Sequence, residues 1–235
     1  MIEYSTHLNQ KFASLSLPET FAALASENFS NPAFSTSFGM EDQVITHHIV
    51  SHALPIKIFT LDTGRLFEET YEVFEATQKK YETNILTYFP EAKDIEKLIS
   101  TKGPFSFYNN VEDRKECCHL RKVKPLQRSL QRVDLWITGL RAEQSSSRQQ
   151  LNLFDYDDAF GLIKFNPLAH WTLTEVEDYL KKHKVPQNKL HQKGYVSIGC
   201  APCTRAISPG EDIRAGRWWW ETSKKECGLH KTARI

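Results

Sequence analysis

What this 235-residue chain has little of narrows its function first. No run approaches the ~20 consecutive apolar residues that a bilayer-spanning helix needs, and the opening Met1-Ile2-Glu3-Tyr4-Ser5 lacks a basic segment followed by an apolar stretch. The expectation is a cytoplasmic protein with no membrane partner. Neither sign of charge is in surplus. Thirty basic against 29 acidic residues leave a net charge of +1, so no whole-molecule field recruits nucleic acid, and an anionic ligand has to be gripped locally. Cysteine is scarce: five residues, an odd number, argue against a disulfide scaffold in an intracellular chain and leave metal binding or thiol chemistry. Internal repeats and low-complexity linkers are missing as well.

What remains alternates between short β-branched or aromatic runs and amphipathic stretches, the pattern of βα units and a parallel or mostly parallel twisted sheet flanked by helices. A helix is expected from Pro18-Glu19 to about Glu27, with strands at Ala33–Ser35, Ile56–Thr60, Asn84–Tyr88 and Leu135–Thr138. Further helices are expected after Asp42, over Phe67–Lys80 and over Glu91–Ser100. Beyond Gln150, Leu151–Phe154 and Gly161–Phe165 read as short strands, and Thr172-Leu173-Thr174-Glu175 has capping-box spacing at a helix start. We expect one α/β domain over residues 1–220 and a mobile tail over 221–235.

Ligands of open α/β sheets bind beyond the strand C-termini. The loop Ser35-Thr36-Ser37-Phe38-Gly39 brings hydroxyls, backbone amides and a glycine to a helix N-terminus, where phosphate or sulfate fits. It is not a Walker A loop, because no Gly-Lys-Ser/Thr follows, and its bland reading is an ordinary capped turn. The next such loop, Leu61-Asp62-Thr63-Gly64-Arg65, adds an acid able to accept from a ribose or base and a cation for an anion.

The cysteines form a doublet, Cys117-Cys118, and a pair, Cys200-x-x-Cys203, with Cys227 left over. A tetrahedral zinc normally takes two knuckles, and adjacent cysteines ligate one ion poorly, whereas a cubane offers each thiolate its own iron. An iron–sulfur cluster is therefore favoured, with zinc next. Cys227 lies beside Lys224, Lys225 and His230, which favour the attacking thiolate; a tail cysteine is otherwise an incidental surface thiol. Arg121, Lys122, Arg214 and Arg217 flank these cysteines and suit a sulfate or phosphate in transfer; as loop arginines, Arg214 and Arg217 are expected to grip substrate rather than hold a core. Trp218-Trp219-Trp220 reads as packing.

Taken together, Ser35–Asp42, Leu61–Gly64, Lys115-Glu116-Cys117-Cys118, Gly199–Arg205, Arg214–Glu221 and Glu226-Cys227-Gly228-Leu229-His230 resemble the assimilatory adenylylsulfate and phosphoadenylylsulfate reductases, over about residues 30 to 230 in order. The resemblance implies an adenine-nucleotide alpha-hydrolase-like fold binding adenylylsulfate. It implies one [4Fe-4S] cluster on Cys117, Cys118, Cys200 and Cys203 that shapes electrostatics rather than supplying electrons. Cys227 would attack the sulfuryl sulfur and expel adenosine monophosphate, and a thioredoxin- or glutaredoxin-like dithiol would release sulfite from the resulting thiosulfonate. Lys122, Arg214, Arg217 and His230 match positions that contact the substrate or assist the thiolate, and Arg141 is a further match. Homo-oligomers are compatible with it. Phe38 is a departure: some cluster-bearing members have a second small residue there, and phenylalanine resembles the cluster-free branch acting on the 3′-phosphorylated substrate. An ATP pyrophosphatase of the same fold is the other alternative.

Overall fold

In the computed structural model, which describes residues 1–145 and 148–222, the chain folds as α1 (Ile2–Phe12), α2 (Leu17–Leu24), β1 (Pro32–Thr36), α3 (Met40–Ser51), β2 (Lys57–Leu61), α4 (Glu68–Tyr81), β3 (Leu86–Tyr88), α5 (Ala92–Lys102), α6 (Val111–Cys118), a π-turn (His119–Val123), α7 (Lys124–Ser129), β4 (Leu135–Ile137), β5 (Phe154–Asp157), β6 (Leu162–Phe165) and α8 (Leu173–Lys182). The six strands form one sheet in the order β3-β2-β1-β4-β6-β5, parallel throughout except at the β5–β6 edge.

The strands bury both faces, so their residues read as continuous apolar runs whose period-2 alternation sorts them between two cores. Phe34, Ile58, Leu135, Ile137, Ile163 and Phe165 pack on one face against α1, α2, α3 and α8 through Leu8, Phe12, Phe21, Val44, Ile45 and Val176. Their neighbours Ala33, Phe59, Trp136 and Leu162 point the other way, onto Leu126 and Leu130 of α7 and its end. A third, smaller core gathers Leu98, Phe107, Cys117, Cys203 and Trp218.

Because β2 lies on one side of β1 and β4 on the other, the winding reverses between β1 and β4, and the crevice past their C-terminal ends is where a ligand is expected. The capping box at Thr172 forms as its spacing indicates: Glu175 Oε2 accepts from Thr172 N at 2.7 Å, and Thr172 Oγ1 accepts from Glu175 N at 3.2 Å.

Two corrections concern elements. The strand expected at Leu151–Phe154 lies at Phe154–Asp157, because Asp157 is held inside the sheet by a 3.2 Å ion pair with buried Lys164, so an aspartate that reads as loop belongs to a strand. Helices α1, α6 and α7 carry no counterpart in the sequence reading. Among the described residues no helix is long and apolar enough to cross a membrane.

Candidate functional site

Past the ends of β1 and β4 lies a cavity of roughly 350 Å³, within the usual range of small-molecule sites. Its floor is the loop Ser35–Gly39, and much of that loop's polarity is spent on its own shape. Ser35 Oγ accepts from Trp136 Nε1 at 2.8 Å, and Thr36 Oγ1 accepts from Phe38 N at 3.1 Å. Ser37 donates through N (2.5 Å) and Oγ (2.7 Å) to Asp42, whose carboxyl is pushed up to about 7 by burial against the pull of those two bonds. The facing loop can approach only because residue 139 is glycine: a Cβ there would stand 2.1 Å from Asp42 Oδ1. Gly39 caps α3, leaving the first amides of that helix toward the cavity, as the anion-site reading requires.

Phe38, the departure noted in the sequence, sits in this loop with its side chain packed inward. Its φ of +60° is the left-handed conformation that a small residue adopts readily, while its ring is 1% exposed and stacks on Phe74 with centroids 4.7 Å apart. The phenyl group is committed to the core.

The second loop is a partial correction. Thr63 lines the cavity, but Asp62 and Gly64 are not among its lining residues. Asp62 instead accepts from Gly64 N (2.7 Å) and from the Tyr71 hydroxyl (2.9 and 3.0 Å), so it fixes the turn, with Gly64 at φ +68°. Burial and that carboxylate push the Tyr71 hydroxyl up to about 12.

Of the cations that the sequence singles out, Lys122, Arg141, Arg214 and Arg217 line the cavity, in different states, whereas Arg65 and Arg121 lie in the wall of the adjoining pocket. Arg141 is buried and already engaged by Glu41 (2.9 Å), Glu143 (2.9 Å) and the Trp171 carbonyl (3.1 Å), a bracing role rather than an open grip. Arg217 is not a solvated loop arginine either. It is 6% exposed, lies over the Trp218 ring at 4.7 Å, and has Nη1 3.3 Å from Ser197 Oγ, while Nε has no partner among the described residues. It is set there by pairing of 216–218 with 203–205: Arg205 N donates to the Gly216 carbonyl and Trp218 N to the Cys203 carbonyl. At Gly216 a Cβ would fall 2.3 Å from the Arg205 carbonyl oxygen, so the close approach demands glycine.

Trp218 is buried, in keeping with packing, whereas Trp219 is 40% exposed. Glu41, inside the Ser35–Asp42 stretch but given no role there, also lines the cavity, as do Glu143, Gln144, Arg148, Asn188 and His191, which sequence reasoning missed. They belong to no compact motif; only the strand-end position of the 138–141 loop hinted at its neighbours.

A second cavity adjoins the first. Its walls are Cys117, Cys118, Cys200 and Cys203, with Arg65, Phe107, Arg114, Arg121 and Lys122. Cys117 and Cys118 end α6, the π-turn follows at once, and Cys200 and Cys203 bracket a single short turn in which Cys203 N donates to the Cys200 carbonyl at 2.9 Å. The Ala201 amide donates to the Arg65 carbonyl at 2.8 Å, tying this turn to the β2 loop, and Cys200 Sγ lies 3.3 Å from Thr63 Oγ1. Burial first, and the neighbouring thiols second, push the Cys203 thiol up to about 12; burial likewise raises Cys117. Among the described residues no three His, Cys, Asp or Glu side chains converge as ligands of one metal ion. Lys122 lines both cavities. Cys227 and His230 lie outside the described residues.

The family description "Phosphoadenosine phosphosulfate reductase domain" matches residues 31–206. Among curated relatives, the adenosine 5′-phosphosulfate reductase of Allochromatium vinosum is 52% identical over 199 residues, 84% of this chain and 78% of the relative. That of Burkholderia cepacia is 47% identical over 215 residues, 91% and 86% of the two chains. Among solved structures, the phosphoadenylyl-sulfate reductase of Candida auris in its phosphate complex superposes with a TM-score of 0.74 at 28% identity, over 88% of this chain and 98% of that one. The FMN adenylyltransferase of Candida glabrata, at a TM-score of 0.54 and 16% identity over 93% of this chain and 73% of that one, shares the fold alone.

Proposed function

This chain belongs to the phosphoadenosine phosphosulfate reductase domain family, and on that premise we propose that it is an oxidoreductase reducing adenylylsulfate to sulfite and adenosine monophosphate in assimilatory sulfate reduction. The observation that carries the reading is the pair of adjoining cavities: a hydroxyl-lined anion loop facing Lys122, Arg214 and Arg217, and a four-thiol pocket that shares Lys122 with it.

In this reading the loop amides and the three cations hold the phosphosulfate and offset the charge that builds on its oxygens during transfer. The Cys227 thiolate attacks the sulfuryl sulfur. The bond between that sulfur and the bridging oxygen breaks, adenosine monophosphate departs with the electron pair, and the sulfonate stays on Cys227 as a thiosulfonate. His230 assists the thiolate. A thioredoxin-type dithiol then attacks Cys227 Sγ, sulfite leaves, and the second thiol of the reductant resolves the mixed disulfide. Two electrons pass from dithiol to sulfur, which falls from sulfate to sulfite, and Cys227 is regenerated. The cytoplasm, where such dithiols are kept reduced, is the compartment this requires.

The four thiols fit a [4Fe-4S] cluster. They border one pocket, Cys117 and Cys203 buried and Cys118 and Cys200 half-buried, where thiolates need compensating charge, and the pocket carries buried guanidinium nitrogens with no partner among the described residues. Held by Cys117, Cys118, Cys200 and Cys203, the cluster would supply a fixed charge beside Lys122 rather than electrons.

Unphosphorylated adenylylsulfate is favoured over its 3′-phosphorylated form because the relatives named above with about half of their residues in common bear that name. The test is anaerobic incubation with each adenylylated sulfate plus thioredoxin, followed by sulfite and adenosine monophosphate assays. Turnover of adenylylsulfate without ATP is expected. Turnover only with the 3′-phosphorylated substrate would move the assignment, and a requirement for ATP would restore the pyrophosphatase alternative.

A further inference from the structure

Arg65 is a cation that the anion-transfer reading leaves unused. It lies outside the nucleotide cavity, in the wall of the four-thiol pocket. Three observations define it. Its guanidinium carbon is 4.8 Å from the centre of the Phe107 ring, and Nη2 donates to the Pro104 carbonyl at 2.5 Å, so the group is held flat and in one orientation. Its Nη1 is buried with no hydrogen-bond partner among the described residues. Its backbone is fixed independently: the amide donates to Thr63 Oγ1 at 3.2 Å, and the carbonyl accepts from Ala201 of the Cys200–Cys203 turn at 2.8 Å.

A charged N–H buried without an acceptor is costly, and native proteins seldom tolerate one unless something completes it. The pocket it borders is lined by four sulfurs. Neutral thiols are weak acceptors, whereas thiolates and inorganic sulfides accept N–H bonds well. The acceptor that Arg65 lacks arrives with the group that the cysteines hold.

We propose that Arg65 is a positioning residue for that group: its Nη1 donates to a cluster sulfide or cysteine thiolate, and its charge stabilises the more negative, reduced state of the cluster while helping to retain iron. The inference rests on the iron–sulfur reading of the four thiols.

Substitution Arg65→Gln removes the charge and the stacking fork but leaves both backbone bonds. In anaerobically reconstituted protein, R65Q is expected to bind iron and sulfide yet lose them to a chelator roughly 10–100-fold faster than wild type, the range seen when partners of metal ligands are removed. Its cluster is expected to reduce at a more negative potential, read by dye-mediated titration and paramagnetic resonance, because loss of a nearby cation disfavours added negative charge. A purely structural role, through Phe107 or Pro104, would change thermal stability and leave the potential of the retained cluster where it was.

Arg65→Lys keeps the charge and loses the fixed fork, so it is expected to hold the potential nearer to wild type while still losing iron faster. Should R65Q fail to fold, R65K decides the matter by its chelation rate. Wild type that takes up iron and sulfide while the variant matches it in both potential and chelation rate would overturn the role of Arg65 alone. Wild type that takes up zinc and no sulfide would overturn the cluster reading and, with it, this one.

Discussion

Glu221 and Arg114 supply the sharpest test of how the end of the described chain is held. Arg114 Nε and Nη2 each donate to a different carboxylate oxygen of Glu221 at 2.9 Å, a two-point pair whose side chains are 2% and 4% exposed. The guanidinium also lies 4.7 Å from the Trp218 ring centre and is hydrogen-bonded to Cys118. The fixed body thus extends one residue into the segment that the sequence assigns to the tail, and it does so beside Cys118 in the wall of the four-thiol pocket. Glu221→Gln would leave a buried guanidinium facing a neutral amide. Breaking one partner of a buried pair costs about 3–5 kcal/mol, and at ~2–4 °C per kcal/mol for a chain of this size the melting temperature should fall by about 6–20 °C. The assay is urea and thermal unfolding followed by tryptophan fluorescence. The double variant R114M/E221Q removes both charges, so it should recover a large part of the loss. An E221Q variant within ~1 kcal/mol of wild type, or a double variant no better than the single one, would refute the clamp.

Cys227→Ser should bind nucleotide as wild type does and release no sulfite; normal turnover by that variant would remove the thiosulfonate route. At Gly199 a Cβ would sit 2.3 Å from Arg217 Nη2, so Gly199→Ala displaces the cation. Nucleotide affinity by calorimetry should drop about 10- to 100-fold, the equivalent of one charged hydrogen bond, and an unchanged Kd would take Arg217 out of the site. Arg141→Ala should cost ~1–3 kcal/mol of stability before it costs affinity, since its bonds go to Glu41, Glu143 and Trp171; a pure KM effect would contradict the bracing role. His47 and His48 are pushed down to about 4 by burial first and nearby cationic groups second, so both are neutral in the fold while the unfolded chain takes up protons near the ordinary value of 6.5. Their contribution is present above pH 6.5 and is lost as pH falls from 6.5 to 4. Urea midpoints should therefore drop over that window and flatten in H47Q/H48Q; equal slopes would count against it.

How far the sequence disclosed this molecule depends on where each element's apolar face comes from. β1, β2 and β4 announce themselves because Phe34, Ile58, Phe59, Leu135 and Ile137 are unmistakably buried types. Helix α1 does not, because its buried stripe is Ser5, Leu8 and Phe12, with the serine hydroxyl satisfied by the Ile2 carbonyl at 2.8 Å. Nor does α6, whose inward residues are Arg114 and Cys117, a charged group and a single small thiol that make no apolar stripe. The site shows the same division. Residue types and motif spacing pointed to both cavities, yet the orientation of Asp62, Arg141 and Arg217 is set by Tyr71, Glu41, Glu143 and Trp218. The Glu41–Arg141 contact crosses a hundred residues of chain, and no local pattern carries such information.

The π-turn at His119–Val123 explains how two chemistries come to share one charge. Residues four apart on a helical stretch stack above one another, so Cys117 leads to Arg121 and Cys118 to Lys122. Arg121 turns inward and donates to the Thr63 carbonyl at 2.7 Å, bracing the β2 loop, while Lys122 reaches the wall common to both cavities. A negative group on the thiols would attract the ammonium, and in general a charge pair ~6 Å apart at an effective dielectric near 20 is worth about 3 kcal/mol. That is a factor of ~100 in any equilibrium the lysine takes part in, and a group carrying no electrons to the substrate would still set how strongly Lys122 holds a sulfate. Cys117 and Cys118 end a helix and the cation follows one turn later, so half of the thiol set shares one element with Lys122, while Cys200 and Cys203 reach the same pocket from a separate turn.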